Sequence, residues 1–439
     1  MQTSAFRVVV ARCRHADNTV LQTEQTSPTA TRSWNLLRSQ SALKMATATA
    51  AGPTNTQGTT TDAPTGGEDN GVSVLRYGIV GCGSVCEVKS GPGFYNHGSK
   101  SSLVAVMRRD VAKARSFAER HGVEKYYGKA ADLINDDSVD VVYVATPPGG
   151  DRVGIARMVA EAKKPCYMEK PLGRDGKEAQ EICSIFQEAG VPLYVAYYRR
   201  CMPKFVSAKR ALDDKKIGEI TGVTATLHQS RHKQKDKSHW HYTRAISGGG
   251  LFLDVGCHVL DMVEFLVGTI ENPTGRAFLS INDQSCEDNV RGFWEHTIES
   301  DGDGDAAPPR RIGGSCVFNF SSGGPRRDEL EIVGTLGTLT ISCFDTQPAQ
   351  LKLIGGETII DLPGDHPQTV QQPMIALITD VLAKQRLGNE IDNNGTNTDD
   401  KSHLDPRVFL CSGESAVRTS LAMDRLLGRE RWLDDYINT

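Results

Sequence analysis

The chain has 439 residues, which is enough for two or three domains with their own hydrophobic cores. Hydrophobic residues make up 38% and charged residues 24%, a composition typical of soluble globular proteins. The formal net charge of −4 argues against general binding to nucleic acid or to anionic membranes, and no apolar run reaches the roughly 18 residues of a membrane span. The 11 cysteines lack metal-type spacing, which predicts reduced thiols and an intracellular location.

Residues 1–72 are predicted to be a disordered leader and linker. Up to Lys44, six Arg or Lys residues stand against two acids in a Ser- and Thr-rich stretch, a composition typical of an organelle transit peptide. An unstructured or wrongly assigned extension, with Met45 as the true start of the protein, explains this composition equally well. Both interpretations stay open. Residues 46–73 contain almost no large apolar side chains and cannot offset their ordering entropy. We therefore expect a cytoplasmic or organellar protein.

Residues 73–197 alternate between short apolar strands and helices, which predicts a parallel sheet with helices on both faces. The predicted strands are Val74–Val80, Leu103–Met107, Val139–Ala145, Pro165–Met168 and Val191–Tyr197. The predicted helices are Val111–His121, Val153–Ala162 and Gly176–Ala189. Such sheets bind ligands in the crevice that the loops form at the carboxyl ends of the strands.

A glycine-rich turn, G-x-G-x-x-C, follows the first strand over residues 81–86. The first glycine permits a tight turn, and the second lets a pyrophosphate approach the backbone. Cys86 takes the third glycine's place and would hold the helix slightly farther from the strand. A purely structural glycine turn explains the motif about as well when it is read alone. The predicted cofactor contacts in this turn and after the third strand are Gly81, Gly83, Ser84, Val85, Thr146 and Pro147.

The choice between NAD and NADP is expected at the end of the second strand. Arg108 and Arg109 lie there and would hold the 2′-phosphate of NADP through charge-assisted bonds. Asp110 is the competing contact for the ribose of NAD, but we interpret it as the cap of the following helix. The sequence therefore favours NADP, with NAD as the alternative.

Two segments carry groups for acid–base chemistry. Glu169-Lys170-Pro171 follows a predicted strand, so both Glu169 and Lys170 are expected beside the cofactor. Pro171 restricts Lys170 to an extended conformation, and the ammonium can donate to a substrate oxygen. Further along, Asp254 and His258 are four residues apart in a helical pattern and are expected on one face.

A carboxylate on the same face can orient the imidazole of His258 and favour its protonated form. Asp261 is expected on the same stripe, three residues beyond His258. Three glycines at 248–250 would allow close approach of the backbone to a ligand. Without further context, an exposed Asp-His pair at the start of a helix explains the pattern as well.

The order of these motifs resembles the glucose-fructose oxidoreductase / inositol dehydrogenase / MocA family over about residues 74–438. The resemblance implies an α/β protein with a Rossmann domain, followed over residues 198–439 by an α/β domain whose open, largely antiparallel sheet often mediates homo-oligomerisation. The family's catalytic residues would be Lys170, Asp254 and His258. The substrate crevice would add Tyr198 and Arg199.

The chain departs from this family where many members have a histidine after Thr-Pro-Pro, because Asp151 stands there. This leaves the substrate class open among sugars, cyclic polyols and related diols. In the second domain, Asp301–Asp305 resembles half of a calcium loop but lacks the closing glutamate. The histidine pairs His228/His232 and His239/His241 have no third ligand at recognisable spacing, so no metal is predicted.

Together these features predict hydride transfer between a nicotinamide and a secondary alcohol or carbonyl. In oxidation, Lys170 would hydrogen-bond the reacting oxygen, and His258, oriented by Asp254, would take its proton; this division of roles is implied by the resemblance. Two alternatives use the same scaffold. One is a regulator that senses the dinucleotide without catalysis, and the other is a glycoside hydrolase that uses bound NAD as a redox helper.

Overall fold

The computed structural model describes the ranges 74–95, 100–230, 240–281, 286–299, 308–356, 358–386 and 405–429. All of them belong to one unit that spans Asp69–Thr439. The predicted leader, His232, His239 and the acidic loop Asp301–Asp305 lie outside the described residues. All ten cysteines within the described ranges are free and buried.

The first sheet has six parallel strands in the order β3-β2-β1-β4-β5-β6. The strands are β1 (Leu75–Val80), β2 (Ser101–Met107), β3 (Lys125–Tyr127), β4 (Val141–Val144), β5 (Cys166–Met168) and β6 (Leu193–Val195). Their side chains are mostly buried, as both faces of a parallel sheet are covered. The strand order reverses between β1 and β4, and ligands of such sheets bind at that switch point. The predicted Rossmann sheet is confirmed.

Six helices connect these strands, and capping residues explain where the longer ones begin and end. Asp110 accepts a hydrogen bond from the backbone N–H of Lys113, and Gly122 ends the same helix in the left-handed conformation. The three-residue strand β3 and the short helix that follows it were not predicted, because neither shows a measurable period. The helices are α1 (Ser84–Val88), α2 (Gly91–Tyr95), α3 (Val111–His121), α4 (Ala130–Ile134), α5 (Arg152–Glu161) and α6 (Gly176–Ala189).

The second sheet has eight strands in the order β14-β13-β12-β11-β7-β10-β9-β8. All neighbours pair antiparallel except β7 and β10, which confirms the predicted, largely antiparallel sheet. Burial alternates along β10, so one face of the sheet is covered and the other is open. The strands are β7 (Ile220–Ser230), β8 (Glu271–Phe278), β9 (Asn289–Ile298), β10 (Arg310–Ser322), β11 (Arg327–Gly334), β12 (Gly337–Ile341), β13 (Gln350–Leu353) and β14 (Ile359–Asp361).

The helices Gln372–Arg386 and Gly413–Leu427 pack back onto the first sheet and its helices. Tyr77 on β1 hydrogen-bonds Thr379, and the backbone N–H of Gly176 donates to Asp424. Both helices thus contact the half of the chain that forms the first sheet, although they lie beyond the predicted domain boundary after residue 197. The remaining helices are α7 (Pro203–Asp213), α8 (Arg244–Ser247), α9 (Cys257–Leu266), α10 (Gln372–Arg386) and α11 (Gly413–Leu427).

The helical stretch Arg244–Leu266 carries the three glycines, Asp254 and His258. It runs through α8, the three glycines, a π-helical turn over Phe252–Gly256 and α9. By length and composition this stretch could cross a membrane, but most of it is buried inside the protein, as in the core helix of a globular domain. Every residue of α9 is buried.

Candidate active site

The glycine turn and the loop after β4 enclose the space that a dinucleotide would need. Gly81 has φ +93°, and a Cβ there would lie 3.0 Å from Thr146 Cγ2, so only glycine fits. A Cβ on Gly83 would meet only the Gly81 carbonyl oxygen at 3.8 Å, which leaves open space above this residue. Thr146 Oγ1 is buried without a hydrogen-bond partner in the described part of the chain. These features fit a nicotinamide dinucleotide lying between the two loops.

The remaining predicted cofactor contacts lie around the same turn. Ser84 is exposed and Val85 half-buried at the start of α1. At the end of β2, Arg108 Nη1 reaches to 3.4 Å from the Cys82 carbonyl oxygen, and Arg109 is exposed. Asp110 uses its carboxylate to cap α3, as interpreted from the sequence. Two cationic side chains therefore stand where the second strand ends.

Glu169 does not face the crevice as expected. Its Oε1 accepts hydrogen bonds from Tyr143 Oη at 2.8 Å and from Gln371 Nε2 at 2.7 Å, and the side chain is buried. A buried carboxylate that already has two donors ties β4 to the segment before α10. We correct the expected cofactor contact of the Glu169 side chain to a structural one.

Lys170 meets Asp254 across 84 residues of sequence. The Lys170 Nζ donates to Asp254 Oδ1 at 2.7 Å and to the Asp254 carbonyl oxygen at 2.8 Å. The lysine follows β5 at the carboxyl end of that strand, and the Lys170–Pro171 peptide is cis. The aspartate comes from the π-helical turn of the second half. The two halves of the chain thus contribute one residue each to a single ion pair.

The ion pair keeps both partners charged. Burial alone would lower the pKa of Lys170, but the adjacent Asp254 carboxylate raises it above the ordinary value. Burial likewise opposes the charge on Asp254, yet Lys170 and then His241 lower its pKa to about 2. Lys170 is therefore an ammonium at neutral pH, and it can donate to a substrate oxygen.

His258 is not paired with Asp254. Its Nδ1 is buried without a partner among the described residues, and its ring is surrounded by Tyr197, Tyr198 and Phe344 at centroid distances of 5.9, 5.5 and 6.1 Å. Burial, reinforced by nearby cations, lowers the pKa of His258 well below its ordinary value. The expectation that Asp254 orients this imidazole and favours its protonated form is wrong.

The π-helical turn explains this correction. Residues four apart face each other when hydrogen bonds run between i and i+4, and a turn with i to i+5 bonds shifts that register. Asp254 lies inside the π-helical turn, whereas His258 lies in α9. Asp261 also has another partner, because it forms a buried ion pair with Arg200 at 2.6 Å.

Tyr198 and Arg199 lie beside His258, and their role in binding a substrate stays a prediction. The Arg199 guanidinium lies 4.9 Å from the Tyr198 ring and 4.5 Å from the Phe344 ring, and its Nε donates to the Cys343 carbonyl. Its Nη1 is buried without a partner in the ranges that the structure describes. A buried N–H donor with no acceptor can bind a substrate oxygen.

Sequence reasoning missed two residues of the site. Arg152, at the start of α5, is buried and donates to backbone carbonyls of the loops after β4 and β5. His241 Nε2 lies 3.5 Å from Asp254 Oδ2. The sequence noted His241 only as half of a histidine pair, and no local pattern connects it with Asp254. Among the described residues, no group of three or more His, Cys, Asp or Glu side chains is arranged to hold a metal.

Two family models match the chain. Residues 75–197 match the "Oxidoreductase family, NAD-binding Rossmann fold", and residues 205–340 match the "GFO/IDH/MocA C-terminal domain". Among curated proteins, Oxidoreductase P35 of Formosa agariphila is 33% identical over 306 residues, covering 69% of this chain and 89% of that protein. Trans-1,2-dihydrobenzene-1,2-diol dehydrogenase of Danio rerio is 28% identical, covering 66% and 81%.

Solved structures share the fold at lower identity. Levoglucosan dehydrogenase in complex with NADH and levoglucosan is 18% identical with a TM-score of 0.64, covering 81% of this chain and 96% of that one. Aldose-aldose oxidoreductase from Caulobacter crescentus, complexed with glycerol, is 20% identical with a TM-score of 0.64, covering 82% and 99%. The order of the two matched domains and the 33% identical relative establish that the chain belongs to the Gfo/Idh/MocA family of NAD(P)-dependent oxidoreductases.

Proposed function

We propose that the protein transfers a hydride between a nicotinamide and the carbinol or carbonyl carbon of a sugar, cyclic polyol or related diol. The observation that carries this proposal is the Lys170–Asp254 ion pair, at the carboxyl end of β5 and next to the switch point of the sheet. A bound nicotinamide would supply or accept the hydride. The chain's own groups handle the proton and the charge on the reacting oxygen.

Lys170 acts on the reacting oxygen. In reduction its ammonium donates a hydrogen bond to the carbonyl oxygen and stabilises the negative charge that develops there. Asp254 keeps Lys170 charged. The carboxylate and the backbone carbonyl of Asp254 both accept hydrogen bonds from the ammonium and hold it in place. His258, neutral at physiological pH because of its lowered pKa, contributes an imidazole to the same pocket and can hydrogen-bond a substrate hydroxyl there.

The names of relatives and the groups in the pocket support the proposed substrate class. The Danio rerio relative is named for a vicinal diol, and the levoglucosan and aldose enzymes that share the fold are named for sugars. The buried Nη1 of Arg199 and the neutral His258 provide polar groups beside aromatic rings, a combination that suits hydroxylated rings. A panel of sugars, inositols and diols, followed by nicotinamide absorbance with NAD and NADP in parallel, tests the proposal. Absence of turnover across the panel with either cofactor would contradict it.

NADP is proposed as the preferred cofactor, because Arg108 and Arg109 stand at the end of β2 and Asp110 is engaged as a helix cap. Replacing Arg109 with serine is expected to raise the KM for NADP by roughly 10-fold or more, since hydrogen bonds to charged groups contribute about 1.5–3 kcal/mol. The KM for NAD should change little. Steady-state kinetics with both cofactors measure this, with Arg115→Ser on the exposed side of α3 as control. An equal change for NAD and NADP would refute the assignment.

A homo-oligomer is proposed to form through the open face of the second sheet. Phe278, Phe293 and Val333 point away from the covered face, and Phe293 is 61% exposed. Apolar side chains on one open sheet face are typical of a contact between copies. We expect Phe293→Glu to lower the mass measured by light scattering after size-exclusion chromatography, whereas Val111→Glu on α3 should not. A wild-type protein that is monomeric at every concentration would contradict this.

A further inference from the structure

The Asp254 carboxylate has a different neighbour on each oxygen. Lys170 Nζ lies 2.7 Å from Oδ1, and His241 Nε2 lies 3.5 Å from Oδ2. His241 belongs to the 3₁₀ turn Trp240–Tyr242 just before α8. The longer distance exceeds that of an ordinary hydrogen bond, but acid–base contacts are often loose without ligands and tighten when these bind.

The proposed reaction requires a proton route to Lys170. In reduction, the carbonyl carbon gains a hydride from the reduced nicotinamide, and the oxygen gains a proton from Lys170 Nζ, which is left as a neutral amine. The Asp254 carboxylate next to that amine strongly favours its return to the charged form. The Lys170 side chain is only 13% exposed, and a bound substrate and cofactor would cover it further, so we expect a protein group to deliver the proton.

His258 is poorly suited to this delivery. It has no described contact with Asp254 or Lys170, and its lowered pKa keeps it from carrying the acidic second proton of an imidazolium near neutral pH. Lys170 itself disfavours the imidazolium of His258 through charge repulsion. His241, by contrast, lies beside a carboxylate, which stabilises an imidazolium.

We propose that His241 is the residue through which the Lys170–Asp254 pair exchanges its proton with solvent, an inference that rests on the proposed function. In reduction, His241 passes its imidazolium proton to Asp254, Asp254 passes a proton to the Lys170 amine, and water reprotonates His241. In oxidation each transfer runs in reverse. The side chain of His241 is 25% exposed and that of Lys170 is 13% exposed. Of the two groups beside Asp254, the imidazole is therefore the more accessible to solvent.

His241 is a positioning residue in this scheme, because it acts through Asp254 and not on the reacting atoms. Other charged or titratable groups interact with the same carboxylate. Lys89 lowers the pKa of Asp254 after Lys170 and His241, and Asp254 raises the pKa of Tyr242 in addition to burial. A pH profile alone would therefore mix several groups, and the test needs a readout specific to the imidazole.

Chemical rescue provides the first readout. We expect His241→Gln to lower kcat by about 10²-fold with the KM for substrate and cofactor changed by less than about threefold, and free imidazole to restore at least roughly a tenth of the lost activity. Imidazole should not rescue Asp254→Asn, because the carboxylate that must receive the proton is missing. His121→Gln, a histidine of α3 that contacts Glu87 outside the crevice, serves as control. A kcat for His241→Gln near that of wild type, or a loss that imidazole does not restore, would overturn the proposal.

A second readout does not depend on turnover. In NMR titrations of the protein with labelled histidine side chains, the titration midpoint of His241 should move to lower pH in Asp254→Asn, because the neighbouring negative charge is removed. An unchanged midpoint would overturn the proposal even if no substrate had been found. Absence of turnover in wild type, with the His241 midpoint still coupled to Asp254, would contradict the proposed function while supporting the contact on which the relay depends.

Discussion

Replacement of Lys170 by alanine is expected to lower kcat by about 10³-fold or more while the dissociation constant of the cofactor changes by less than about threefold. In the proposed mechanism the ammonium lies beside the reacting oxygen, and its loss removes both a proton donor and the charge that stabilises an alkoxide. The effect should fall on the chemical step, because Lys170 is held by Asp254 and is not part of the glycine turn. Single-turnover kinetics and cofactor fluorescence titration measure the two quantities separately.

Lys163→Met is the matched control for this experiment. Lys163 precedes β5 just as Lys170 follows it, but it is exposed and donates only to the Ala189 carbonyl in the described part of the chain. We expect the control to retain wild-type kcat. His258→Ala should also lower kcat, since it removes the imidazole beside the substrate pocket. Wild-type turnover in both Lys170→Ala and His258→Ala would remove the basis for the assigned acid–base group.

Arg152→Leu is expected to lower the free energy of unfolding by at least about 3 kcal/mol, because it would leave several buried carbonyls without a donor at about 1–3 kcal/mol each. The guanidinium donates to the carbonyl oxygens of Thr146 and Glu169 at 2.5 and 2.6 Å, and it also contacts those of Pro171 and Leu172. Burial lowers its pKa to about 10, so the group stays charged at neutral pH. Urea denaturation of the purified variant measures the loss.

The same substitution should also reduce kcat. Arg152 connects the loop that carries Thr146 with the loop that carries Lys170, and a displacement of reacting groups by about 1 Å can cost roughly 10²-fold in rate. Arg157→Leu, one turn along the same helix, is the control, since Arg157 is exposed and pairs with Glu181 at the surface. An unfolding free energy for Arg152→Leu within about 0.5 kcal/mol of wild type would contradict this role, because that is the range of ordinary surface substitutions.

Local patterns were sufficient for five of the six strands of the first sheet. The helices Val111–His121 and Gly176–Ala189 begin and end where the sequence predicted, because each has an aspartate cap and a terminal glycine in the left-handed conformation. The apolar runs that precede Gly81 and Lys170 form parallel strands of one sheet, so their carboxyl ends lie at the same edge of it. Residues that follow those strands were therefore brought together by topology alone.

The contacts within the site depended on features that the sequence does not display. A π-helical turn between the three glycines and α9 separates Asp254 from His258, although their spacing is that of neighbours in an α-helix. Glu169 is directed away from the crevice by Gln371, which is 202 residues distant. Arg152 and His241 have no motif of their own, and their partners are identified only by the fold.

Transfer of deuterium tests the central claim most directly. The protein is incubated with oxidised nicotinamide and with a substrate from the panel that carries deuterium at the carbinol carbon, and the released cofactor is analysed by mass spectrometry. We predict that the reduced cofactor carries the deuterium and that Lys170→Ala abolishes its formation. Cofactor that binds tightly but stays oxidised would indicate a sensor, and deuterium that returns to a hydrolysed product would indicate a glycoside hydrolase. Either result would contradict net hydride transfer from an alcohol or to a carbonyl.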